Sequence, residues 1–117
     1  CAASLAFGTP VYVQSSGKPA AANAAAAATM PAIGVVVVAS TDADTPCTVC
    51  THGIVSADAY PTFTPGGTVY IDDSGAGVLT ATVGDISGTD HVVQVMGIAL
   101  NADEVLIMPS LSTITLE

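Results

Sequence analysis

Two stretches of this chain echo one another, and the echo narrows the folds open to it more than any other feature. Gly8-Thr9-Pro10-Val11-Tyr12-Val13, followed by Ser16-Gly17, returns as Gly66-Gly67-Thr68-Val69-Tyr70-Ile71, followed by Ser74-Gly75. Val11 to Val69 and Tyr12 to Tyr70 both span 58 residues. Each strand and turn leads through small residues to a Gly-centred apolar run, Ala32-Ile33-Gly34-Val35-Val36 and Val95-Met96-Gly97-Ile98-Ala99. Gly34 to Gly97 is 63 residues, so the second copy carries a slightly longer loop. Two copies are too few for a solenoid, which needs about three. The echo instead predicts two related β-units, about 8–37 and 66–100, closing one barrel. Glycine in the second strand of each unit marks a bulge or a close backbone approach.

The rest of the chain reads as β structure. β-Branched runs bounded by Gly, Pro, Asp and Ser predict strands near 10–14, 33–39, 47–55, 68–72, 78–83, 91–100, 105–108 and 113–116. The expected class is therefore all-β: a small single-domain barrel or sandwich over residues 8–117, with residues 1–7 as an N-terminal arm. Pro10 is expected to start a strand at a sheet edge. The tract Ala20–Ala28 is ambiguous. Alanine favours helix, yet the tract has no large apolar stripe to dock, so a loop with one or two helical turns is expected near 20–30.

Composition excludes several classes of function. The chain has one Lys, no Arg and ten acids, for a net charge of −9. A nucleic-acid binder needs clustered cations, and so does a protein held on an anionic membrane surface. Neither partner is expected. The run Ala24–Ala39 is the most apolar, but it falls short of the ~20 residues a membrane span needs. Half of the 117 residues are apolar and only 9% are charged. A small domain cannot hide that much apolar surface alone, which predicts burial between subunits.

Candidate chemistry is sparse. Cys47-Thr48-Val49-Cys50, His52 and His91, with Cys1 in reserve, are the residues that can be assembled into a zinc or redox site. Residues i and i+3 of a strand point to opposite faces, which spoils a two-thiolate clamp, so no metal is expected. Asp42-Ala43-Asp44 and Asp72-Asp73 read as turn residues before calcium ligands. No nucleophile elbow is present, and neither His is marked as a base, so no catalytic residue and no cofactor are assigned. Tyr12 and Tyr70 are expected to bury their rings and leave their hydroxyls at a rim. Cys1 followed by Ala2, Ala3 and Ser4 allows a lipidated bacterial N-terminus; processing or an incomplete sequence is the commoner reading.

The ordered features from Gly-Thr-Pro-Val-Tyr-Val through Ala-Ile-Gly-Val-Val-Val, His52-Gly53-Ile54-Val55 and Pro65–Asp73 to Val95–Leu100 resemble the small β-rich virion proteins of tailed bacteriophages, especially head decoration (cement) proteins. The resemblance covers about residues 6–110. It departs at Cys47 and Cys50, where Thr or Val is expected. It implies a non-catalytic protein on the outer capsid surface, bound to the major capsid protein and stabilising the shell, often as a homotrimer. A phage tail or fibre module and a secreted or lipid-anchored filament subunit are the alternatives. The partner-binding residues expected here are Ala2, Ala3, Ser4, Leu5, Ala6 and Phe7, with Phe7 as the anchor of an arm that adds to a neighbour's sheet.

Overall fold

The computed structural model describes residues 1–58, 60–82, 86, 88 and 90–116. Along the chain run β1 (Pro10–Val13), β2 (Pro19–Ala21), β3 (Gly34–Val38), β4 (Thr48–Cys50), β5 (Gly53–Ser56), β6 (Thr68–Ile71), β7 (Leu79–Thr80), β8 (Val92–Val93), β9 (Val95–Ala99), β10 (Glu104–Ile107) and β11 (Ile114–Thr115). One sheet has the order β2-β1-β3-β4 and a second the order β5-β10-β9-β6-β7. A short third sheet pairs β11 with β8. The chain is a small all-β domain, and among the described residues the sheets do not close into a barrel.

The echo in sequence is matched bond by bond. Val11 faces Gly34 across the first sheet as Val69 faces Gly97 across the second. The Gly8 N–H donates to Val36 O and the Gly66 N–H to Ala99 O, each at 2.7 Å. Gln14 donates to Lys18 O at 3.0 Å, and Asp72 to Val78 O at 2.9 Å. The third strand corresponds too, because Val36 pairs with Val49 as Ala99 pairs with Val105. A Cβ on Gly34 would strike the Cys50 carbonyl, and one on Gly97 would strike that of Leu106. Both glycines are thus required by the close approach of the next strand.

The two sheets stack the same way up. Ile33, Val36, Val11 and Val49 lie with Leu5 in a small apolar cluster on one face of the first sheet. Their counterparts Met96, Ala99, Val69 and Val105 lie in the main core. The other face of the first sheet, with Val35, Tyr12 and Cys50, packs into that same core. So the lower face of the first unit covers the upper face of the second. Barrel closure by two related units, the expectation from the echo, is corrected to stacking.

Other expectations change in instructive ways. The run 47–55 is two strands in different sheets, since the chain crosses from β4 to β5 at Thr51-His52. The run 91–100 is likewise split, between β8 and β9 at Gln94. β1 is an interior strand, and Pro10 opens it where a missing N–H breaks no ladder bond. The Ala tract is used piecemeal. Ala20 and Ala21 belong to β2, Ala22 and Ala24 are fully buried, and Ala27–Thr29 form a single 3-10 turn. Asn23 bonds the Ala25 N–H at 2.9 Å, offering the backbone a turn in place of a helix. The strand expected near 78–83 is seen at Leu79–Thr80, and Val83 lies outside the described residues.

Gln94 is buried, and its amide ties the units together. Oε1 accepts the Ala32 N–H at 2.7 Å, while Nε2 donates to Ala32 O at 2.8 Å and to Ser110 O at 2.9 Å. Removing it leaves buried backbone groups unpaired. Gln94→Ala is expected to cost about 2–4 kcal/mol of stability, measured as a lowered midpoint in urea unfolding.

Candidate interaction surface

Strand alternation decides what the second sheet shows to water. Val55, Val69, Ala99, Val105 and Ile107 point into the core. Ile54, Ile98, Leu106 and Thr68 point the other way. Pairing sets Ile54 opposite Leu106, Leu106 opposite Ile98, and Ile98 opposite Thr68. Three aliphatic side chains therefore form one unbroken row over β5, β10 and β9. Ile54 is 62% exposed and Ile98 41%. Val95, Leu100 and Met108 are also exposed on the adjoining β9 and β10 segments. An antiparallel sheet facing water normally shows polar side chains there, so this face reads as a contact surface.

Position in the repeat makes the same point. Val35 and Cys50 of the first unit correspond to Ile98 and Leu106 of the second, by their pairing with each other. In the first unit that face is covered by the second sheet. In the second unit no sheet among the described residues lies over Ile98 and Ile54, which stay exposed.

Residues 1–7, expected as an arm apart from the domain, instead lie across the first sheet as a strap. Leu5 is 6% exposed and sits against Val11 and Val36. Its N–H donates to Ser40 O and Oγ at 3.2 and 3.0 Å, and its carbonyl accepts the Ser40 N–H at 3.1 Å. Ala2 N–H donates to Pro19 O at 2.8 Å. A disulfide joins Cys1 to Cys47. Ala3, Ser4, Ala6 and Phe7 face outward. Phe7 does not anchor the strap, as Leu5 does. It borders a shallow groove of about 180 Å³ with Tyr60, Pro61 and Val78.

The remaining candidate residues are dispersed. Cys47 is spent on Cys1, Cys50 is a half-buried free thiol, and His52 is exposed. His91 Nδ1 lies 2.8 Å from Asp73 Oδ2. Asp72 accepts from the Asp73 and Ser74 N–H groups, which closes a turn. Among the described residues, no three His, Cys, Asp or Glu side chains converge as metal ligands. Lys18 pairs with Asp44 at the surface, and that contact holds the Asp44 carboxyl below its usual range. The sole basic side chain outside histidine is thus already engaged. Tyr12 and Tyr70 are both half-buried against the main core.

Three features escaped the sequence reading: the Cys1–Cys47 pairing, the buried role of Gln94, and the side of the second sheet left bare. The alternation in Gly53-Ile54-Val55-Ser56 carried a signal for the last. No family model, curated protein or solved structure matches the chain.

Tyr60 fastens the turn at the end of the strap. Its hydroxyl donates to Gly8 O at 3.1 Å, and its ring lies 5.9 Å from that of Phe63. Burial, with a smaller contribution from Cys50, pushes its phenol up to about 12. A raised value favours the neutral form in the fold, so this contribution is whole below pH 10 and is lost as pH climbs toward about 12. Urea midpoints at pH 9 and 11.5 should show a steeper alkaline loss for wild type than for Tyr60→Phe.

Proposed function

We propose that the protein is a virion structural protein of the head-decoration type, bound to the major capsid protein on the outer capsid surface and stabilising the shell as a homotrimer. The observation that carries this reading is the aliphatic row of Ile54, Leu106 and Ile98, exposed at Ile54 and Ile98 and half-buried at Leu106. A flat apolar sheet face suits protein contact and offers no concave, polar-lined site for a small substrate. The charge balance supports the same role. With ten acids and one base already paired, the surface repels anionic polymers and lipids. The exposed strap residues Ala3, Ser4, Ala6 and Phe7 add a second contact to the capsid.

A secreted filament subunit is the reading that the disulfide favours, because disulfides persist in oxidising surroundings. A lipid thioether at Cys1 would need the same sulfur and excludes the disulfide. Copy number decides among the roles. Quantitative mass spectrometry of purified particles should find hundreds of copies per DNA-filled head. A handful per particle indicates a tail or fibre module, and a filament without DNA indicates the secreted role.

The contact itself is tested by Ile54→Asp with Ile98→Asp. Both side chains are outside the core, so the variant should keep its unfolding midpoint within about 1 kcal/mol. Binding to undecorated particles should fall at least about tenfold, the equivalent of 1.4 kcal/mol. Retained binding by sedimentation assay would overturn this use of the face.

A further inference from the structure

The strap sits on a dock built from other parts of the chain: Val11 and Val36 under Leu5, Ser40 beside it, and Cys47 at its end. We propose that the strap exchanges between copies, the strap of one molecule entering the dock of a second and being sealed there by a Cys1–Cys47 disulfide between the two chains. The partner is a second copy of this chain. The inference does not rest on the capsid reading.

Three observations support it. Every contact the strap makes on its own chain is available in identical form on another copy, so complementarity is guaranteed, as in domain swapping. The link from strap to sheet is short and uncovered. Ala6 and Phe7 face outward, and Thr9 N–H to Ala6 O at 3.3 Å is the backbone bond that holds the bend. Gly8, at φ +85°, remains bonded to Val36 O, so the hinge lies before it and the sheet need not be disturbed.

The chemistry is redox-neutral. A small monothiol, as its thiolate, attacks one sulfur of the Cys1–Cys47 bond. This forms a mixed disulfide and frees the other cysteine as a thiolate. With the strap docked on a second copy, the cysteine thiolate of one chain attacks the mixed disulfide of the other. The inter-chain bond forms and the small thiolate leaves. Both chains are opened in this way at the same sulfur, and the reciprocal attack makes the second inter-chain bond, so two protein disulfides are broken, two are made and both monothiols are returned.

Wild-type protein provides the test. Unlabelled and uniformly ¹⁵N-labelled protein are mixed at high concentration in a glutathione buffer under native conditions. The reaction is quenched with acid and digested with pepsin, and the linked Cys1–Cys47 peptides are weighed. Pairs carrying one labelled and one unlabelled peptide are expected, together with covalent oligomers on a non-reducing gel. If the labelled chain carries Leu5→Asp, its strap should yield at least about tenfold fewer hybrid pairs. Absence of hybrid pairs overturns the proposal, whether the bond fails to open or recloses only within its own chain. Equal yields from Leu5→Asp and wild type also overturn it, since docking of the strap would then play no part.

Discussion

A glutamine amide inside an apolar core costs several kcal/mol unless its hydrogen bonds are made, and Gln94 makes three. Those bonds run to the segment before β3 and the segment after β10, so one side chain fixes where the first unit lies on the second. The core around it is mostly aliphatic and small-grained, with Val, Ile and Ala outnumbering the buried ring of Phe63. Such side chains give burial without much directional preference. The amide supplies the direction. The glycines at 34 and 97 serve the same end by letting the neighbouring strand come close.

Much of this was open to reading. The 58-residue spacing located the central strands of both units, because period-two alternation and a positive-φ glycine before each strand are local properties. What stayed hidden was relational. Local pattern does not say which face of a strand is the inner one when both faces are apolar, as in Val35-Val36-Val37. It therefore did not distinguish closure from stacking. The splits at Thr51-His52 and at Gln94 were missed because each run is continuously β-like, and the change of sheet depends on distant partners.

The cysteines show the same boundary. A Cys-x-x-Cys spacing draws attention to the near pair, but a strand separates those thiols to opposite faces. The true partner of Cys47 lies 46 residues away and is brought close by the pairing of Leu5 with Ser40. Residues 1–7 read as an arm because they precede the first strong strand. Leu5 in fact occupies the place that Phe63, 58 residues on, occupies in the second unit.

Stacking the same way up also gives the molecule an arrow. A body made of two sheets facing each other has equivalent outsides, and two such bodies join through a dyad. Here the strap closes one broad side and bare aliphatics form the other, so head and foot are unlike. A contact of one copy's head with another's foot is heterologous, so it repeats from copy to copy and ends only when the successive rotation comes full circle.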